Sequence, residues 1–315
     1  MIFITGSNGF LGSHLVERLG DRKLALLDRG VSKYSEVHRF LQTEINGSAD
    51  YSIGLKGCDT VIHCAARVHI MDDTVKKPLD AYREVNTIGT MNLAKQAVEA
   101  GVKRFIFISS IKVNGESSLL GRPFFAKDPH AFEDDYGQSK SEAELALHDL
   151  ANETGLELVI IRPTLVYGVG VKANFASLLN LVSKSIPLPF GCITNNRRSL
   201  VSVTNLVDLI VTCIDHPKAA NQTFLVSDGN DVSTSEMVRE MAIALGKPTW
   251  QLPVPIWCYK FVGKLFDKSD VVDRLTGSLQ VDISHTKDTL GWKPPQTLQD
   301  GFKQTAQAFM LAKTK

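Results

Sequence analysis

The chain opens on a short apolar run, Ile2-Phe3-Ile4-Thr5, that leads directly into Gly6-Ser7-Asn8-Gly9-Phe10-Leu11-Gly12 and then into an amphipathic stretch. An apolar, β-branched tetrad, closely spaced glycines and a helical pattern read as strand, tight turn and helix. In that setting the glycines let backbone approach a pyrophosphate and let the helix pack close to the sheet. The free N–H groups and dipole at the helix N-terminus favour the phosphates. The spacing is G-x-x-G-x-x-G rather than G-x-G-x-x-G, so its place on the first βα turn carries the reading more than the motif does. Asp28 closes the second apolar run, 22 positions after Gly6, where a carboxylate accepts from the adenosine ribose hydroxyls and repels a 2′-phosphate. That favours NAD over NADP, while the neighbouring Arg29 offsets part of the repulsion and leaves NADP open.

Over residues 1–165 short runs (Ile2–Thr5, Lys23–Leu27, Thr60–Cys64, Arg104–Ile108, Leu158–Ile161) alternate with helical patterns (Phe10–Leu19, Thr87–Ala100, Tyr136–Glu153). Alternation of this kind implies right-handed crossovers and a parallel sheet covered on both faces. The expected class is α/β, a Rossmann-type doubly wound sheet with a smaller, interwoven C-terminal substrate domain. Residues 1–165 form the NAD-binding domain, with return segments near 199–228. Residues 166–315, richer in proline, are mainly substrate-binding. Leu298–Leu311 places Phe302, Ala306 and Phe309 at helical intervals and reads as a docked terminal helix.

A total of 315 residues suits about two packed units. With 43% hydrophobic and 22% charged residues, disordered and collagenous classes drop out. Lys and Arg number 35 against 34 Asp and Glu, which gives no global field for nucleic acid and requires any anion site to be local. Five scattered cysteines lack metal spacing and suggest reduced thiols, and no metal is expected. No leader-like or spanning segment stands out, so the expected location is the cytoplasm, without a membrane span.

Tyr136 and Lys140 stand four residues apart, on one face of the helix they begin. Forming a phenolate at pH 7 costs about 4 kcal/mol, and one cation ~4 Å away at an effective dielectric of ~20 offsets roughly that much. Lys140, helped by a positively charged nicotinamide, is therefore expected to bring Tyr136 toward neutrality as an acid/base. The run Arg104–Ile108 ends in Ser109-Ser110, on a strand end that borders the ligand crevice of such sheets.

The loop at Gly6–Gly12, Val61-Ile-His-Cys-Ala-Ala66, Asn86-Thr-Ile-Gly-Thr90, Phe107-Ile-Ser-Ser110, Tyr136-x-x-x-Lys140, Ile161-Arg-Pro163, Val166-Tyr-Gly168 and Leu290-Gly-Trp-Lys-Pro294 occur in this order along nearly the whole chain. Together they resemble the extended short-chain dehydrogenases/reductases, and among these the nucleotide-sugar epimerase/dehydratase group. Ser109–Gly115, Gly170–Phe175 and Arg197-Arg-Ser199 are similar to a bacterial subgroup that is UDP-glucose 4-epimerase-like, serves surface polysaccharides and includes 4-ketoreductases of UDP-6-deoxy-HexNAc. The resemblance implies a catalytic triad of Ser110, Tyr136 and Lys140. It implies cofactor contacts at Gly6, Gly9, Phe10, Leu11, Gly12, Asp28, Arg29, Ala65, Ala66, Asn86, Lys140 and Pro163. Substrate contacts fall on Ser110, Lys112, Tyr136, Asn174, Arg198 and Arg274, with a UDP-sugar as substrate and a homodimer as the assembly.

Two departures matter. Ile111 and Lys112 replace the Asp-Glu pair by which dehydratases of the group expel a C6 hydroxyl, which disfavours 4,6-dehydration. Asn114 replaces the usual tyrosine of V-Y-G and points to an altered sugar pocket. Hydride chemistry at C4 remains. An NAD-dependent epimerase passing through a transient 4-keto sugar and an NAD(P)H-dependent 4-ketoreductase need the same triad. The carboxylate at Asp28 favours the epimerase. A non-catalytic dinucleotide-binding protein is a third reading, disfavoured because Ser, Tyr and Lys are all retained.

Overall fold

The computed structural model describes residues 1–68 and 77–313, apart from the side chains of residues 173 and 174. Seven parallel strands, β1 (Ile2–Thr5), β2 (Leu24–Asp28), β3 (Arg39–Gln42), β4 (Thr60–His63), β5 (Arg104–Ile108), β6 (Glu157–Pro163) and β9 (Gln222–Val226), lie in the order β3-β2-β1-β4-β5-β6-β9. β7 (Leu165–Tyr167) and β8 (Leu200–Ser202) form a separate parallel pair. Five of the sheet strands are apolar and buried on both faces, as a sheet covered by helices requires. β3 was not anticipated: Arg-Phe-Leu-Gln is half-exposed at the sheet edge, where no continuous apolar run is needed to signal it.

The helices are α1 (Phe10–Arg18), α2 (Ser52–Leu55), α3 (Pro78–Arg83), α4 (Thr90–Glu99), α5 (Asp135–Thr154), α6 (Ala173–Ser183), α7 (Val203–Asp215), α8 (Thr234–Ala244), α9 (Ile256–Leu265), α10 (Ser269–Thr276), α11 (Ser284–Leu290) and α12 (Leu298–Lys313). Between α3 and α4 the chain makes a π-helical turn over Glu84–Gly89 where the sequence pattern suggests plain α-helix from Thr87. One apolar cluster packs α1 and α7 on one face of the sheet, and a second packs α4 and α5 on the other. A third joins β7 and β8 to α6, α8 and α12 through Tyr167, Phe175, Met241 and Phe302. Phe302 and Ala306 are buried in it, so α12 is docked.

In register, Thr5 lies between Leu27 and His63, His63 is opposite Phe107, and Ile108 is opposite Ile161. The segments after Thr5, His63 and Ile108 therefore leave the sheet side by side at its carboxyl edge. β2 and β3 lie on one side of β1, and β4, β5 and β6 on the other. The crevice where the chain direction reverses is the place where this architecture binds ligands.

Candidate active site

The glycine turn is built to exclude side chains. Gly6 sits at φ +70°, and a Cβ on it would lie 2.9 Å from the Ala65 nitrogen. A Cβ on Gly12 would collide with the Gly6 carbonyl oxygen at 2.1 Å, which sets the close approach of α1 to the turn. Gly9 donates to that same carbonyl at 2.9 Å. Phe10 and Leu11 begin α1, partly buried against the core beneath. The Asp28 carboxylate accepts from the backbone N–H of Asn8 at 2.9 Å and of Arg29 at 2.8 Å, so the acid is clamped to the glycine turn at the tip of β2. Arg29 is exposed beside it. Ala65 and Ala66 follow β4, and the Ala65 N–H donates to Thr5 Oγ1 at 3.2 Å. Asn86, in the π-turn, donates to the Arg67 carbonyl and Ser139 Oγ, both at 3.0 Å, and accepts from the Arg67 N–H at 2.8 Å. Pro163 is buried at the end of β6. A backbone cradle closed to side chains, with a carboxylate at the neighbouring strand tip, fits a dinucleotide.

Ser110 follows β5 and caps the 3₁₀ turn Ile111–Val113, with its Oγ accepting from the Lys112 N–H at 3.2 Å. Tyr136 and Lys140 stand on the first turns of α5, which Asp134 caps by accepting from the Gly137 N–H at 2.7 Å. Lys140 is buried, donates to the Ile108 carbonyl at 2.9 Å and lies 4.4 Å from the centre of the Phe107 ring. Burial pulls its ammonium down to about 8, against smaller upward pulls from Cys64 and Glu144. Burial pushes the Tyr136 phenol well above its ordinary value, Asp134 and Tyr82 add to that, and only hydrogen bonding with Ser110 works the other way. The expected near-neutral phenolate counts on the positively charged nicotinamide as well as on Lys140.

Behind these residues lies a buried network that was not anticipated. Glu144, one turn beyond Lys140, accepts from Arg162 Nη2 at 2.5 Å and Nε at 3.0 Å and also pairs with Ser109 Oγ. Arg162 Nη1 donates to Asn114 Oδ1 at 2.9 Å, and its Nη2 lies 2.7 Å from His130 Nε2, whose other ring nitrogen meets Ser141 Oγ at 2.7 Å. Burial holds His130 below its usual range, with Glu144 pulling up and Arg162 and His148 pushing down. Asn114, where the group usually carries a tyrosine, is thus a buried partner of Arg162. His63 bridges Thr5 Oγ1 (2.7 Å) and Thr90 Oγ1 (2.9 Å), and burial drives it down to about 3, so it is a neutral strut. The repeat Tyr136, Lys140, Glu144 at four-residue spacing is the one sequence signal that could have found the network.

Of the expected substrate contacts, Lys112 is turned to carboxylates, Asp134 at 2.5 Å and Glu116 at 2.7 Å. The Asn174 side chain lies outside the described residues. Arg198 and Arg274, 76 positions apart in the chain, are brought together: Arg198 Nη1 donates to the Arg274 carbonyl at 2.8 Å and to the Gly277 carbonyl at 3.3 Å. Burial and the Arg274 charge both lower Arg198. Among the described residues neither guanidinium pairs with a carboxylate. Two adjacent cations without a counterion suit an anionic ligand.

A seven-stranded Rossmann sheet with Ser, Tyr and Lys gathered at its carboxyl edge defines an extended short-chain dehydrogenase/reductase. The family model for the NAD dependent epimerase/dehydratase family matches residues 2–227. The chain belongs to this family. It is 67% identical to the UDP-glucose 4-epimerase of Vibrio cholerae over all of this chain and 97% of that protein. It is 30% identical to the N-acetyl-α-D-glucosaminyl-diphospho-ditrans,octacis-undecaprenol 4-epimerase of Escherichia coli O157:H7, over 97% of this chain and 94% of that one. Its fold matches the UDP-glucose 4-epimerase of Thermotoga maritima solved with UDP-glucose, at TM-score 0.77 and 22% identity over 99% of both chains.

Proposed function

We propose that the protein is an NAD-dependent 4-epimerase of a UDP-hexose or UDP-N-acetylhexosamine. The observation that carries this reading is the meeting of Ser110, Tyr136 and buried Lys140 beside the glycine cradle, in a chain whose full length aligns with a UDP-glucose 4-epimerase. NAD, held by the Gly6–Gly12 turn, Asp28 and the Ala65–Ala66 backbone, supplies a reversible hydride acceptor when bound. Tyr136 takes the proton of the C4 hydroxyl as the C4–H bond gives up its hydride, and returns a proton when hydride comes back to the opposite face of the 4-keto sugar. Ser110 donates to the C4 oxygen, and Lys140 holds positive charge on the Tyr136 side of the crevice. Arg198 and Arg274 grip the diphosphate and leave the sugar free to present either face. With Ile111 and Lys112 after the serine, no carboxylate stands there to expel a C6 hydroxyl.

The Rossmann part, residues 1–165 with the 199–228 return, holds the dinucleotide, and residues 166–315 close on the sugar nucleotide. The assembly is a homodimer and the location is the cytoplasm. Among the described residues no helix is long and apolar enough to cross a membrane. A second reading, C4 inversion of a sugar diphosphate carried on a polyprenol, is favoured by the Escherichia coli relative.

The test is to denature the purified protein, quantify released NAD(H), and assay UDP-glucose, UDP-GlcNAc and UDP-GalNAc without added cofactor. Interconversion of a C4 pair supports the epimerase. Turnover only of a 4-keto sugar with added NAD(P)H identifies the 4-ketoreductase instead.

A further inference from the structure

Among the described residues the densest exposed apolar surface is one helix, α9, and no step of the reaction uses it. Trp257 is 70% exposed, Phe261 64%, Leu265 67%, Val262 50% and Phe266, at the helix end, 67%. At 3.6 residues per turn Trp257, Phe261 and Leu265 form one stripe, with Val262 and Phe266 on the next. The opposite side is where α9 packs: Gly263 is buried, and a Cβ there would meet the Val272 side chain of α10 at 2.7 Å. The packing that fixes α9 thus turns its aromatic face outward. Trp250 and Leu252, 59% and 44% exposed, lie on the segment leading into the helix. Other exposed apolar side chains, such as Val31, Ile53 and Leu145, are scattered over several elements.

The charge pattern identifies the occupant. Residues 250–266 contain Lys260 and Lys264 and no acid, and Lys268 follows one turn on. All three lysines are exposed, and Lys260 and Lys264 border the Trp257 stripe. The acids Asp267, Asp270 and Asp273 belong to the turn and helix beyond. A helix with Trp, Phe and Leu on one face and lysines at its margin is the pattern that lies in the plane of an anionic lipid surface, rings in the headgroup layer and ammonium groups at the phosphates.

We propose that α9 seats this protein on an anionic bilayer as a peripheral, non-spanning contact. The face is a short path from the site already described, because α9 rests on α10, and α10 carries Arg274, whose carbonyl Arg198 holds. Docking therefore sets the arginine pair one helix behind the lipid headgroups. This inference rests on exposure and charge and stands whichever sugar carrier the active site accepts.

Flotation of the full-length protein with vesicles tests it. Phosphatidylglycerol/phosphatidylethanolamine vesicles should carry the protein upward, and pure phosphatidylcholine vesicles should carry about tenfold less. Trp257→Gln with Phe261→Gln should lower flotation about tenfold while leaving turnover of a soluble UDP-sugar unchanged, which also shows that the variant folds. Lys260→Gln with Lys264→Gln, both surface changes, should weaken flotation and flatten its salt dependence. No flotation with anionic vesicles, equal flotation with both kinds, or a double aromatic variant that loses self-association and keeps flotation would overturn the proposal.

Discussion

Two constellations of charge in the molecule are finished differently. Behind Ser110, Glu144 and Arg162 are buried and bonded on nearly every polar atom, to each other and to Ser109, Asn114 and His130. In the other, Arg198 is half-buried, Arg274 is exposed, and both are left without a carboxylate among the described residues. A buried charge pair that is internally satisfied can only hold positions, because opening it costs several kcal/mol. A pair of cations that the protein leaves uncompensated is available to a ligand's charge instead. On the function proposed above, the first constellation would hold the reaction centre and the second would capture the substrate.

The contrast depends first on the acid/base assignment at the closed end. Tyr136→Phe removes the transferable proton and should lower turnover by roughly 10²–10⁴-fold while dinucleotide binding is retained. Activity equal to the parent chain with the true sugar nucleotide would sink the assignment. Next in size is Glu144→Ala, which strands the Arg162 charge in the interior. A loss of about 3–5 kcal/mol in urea unfolding is expected, with turnover falling alongside it. An unchanged unfolding midpoint would erase the distinction between the two ends.

At the open end, Arg198→Ala or Arg274→Ala should raise KM for the sugar nucleotide by an amount equivalent to about 1.5–3 kcal/mol. The exposed Arg274 should leave stability within ~0.5 kcal/mol of the parent. A drop in kcat at unchanged KM would move these residues out of substrate capture. The smallest effect is the pH dependence of Lys140. Its native ammonium is lowered to about 8, so between about pH 8 and 10 the unfolded chain binds more protons at this site than the native one. Stability at this site is therefore regained as pH rises, by an amount on the order of 2 kcal/mol. Comparing the parent with Lys140→Met over that range checks it: the parent should gain relative to the variant.

Much of the dinucleotide end could be read from residue order. Gly6, Gly12, Asp28, Ser110 and the Tyr136–Lys140 spacing are local features whose meaning comes from the strand or helix they end or begin. The Glu144–Arg162–His130 network was not legible, because its members come from α5, β6 and a loop, and only the parallel register brings them together. The partner of Asn114 was hidden for the same reason: a motif identifies a position but does not say which way its side chain turns.

Apolar alternation and the glycine turn, both short-range signals, were enough to set the class of this chain and the chemistry of its cofactor end. Three further matters were left to tertiary packing. The bridge between residues 198 and 279, just past α10, brought Arg198 and Arg274 together across 76 positions, and burial raised the Tyr136 phenol. Contact at Gly263 turned the aromatic face of α9 outward. Each depends on desolvation or on long-range neighbours, quantities that exist only once the chain has closed on itself.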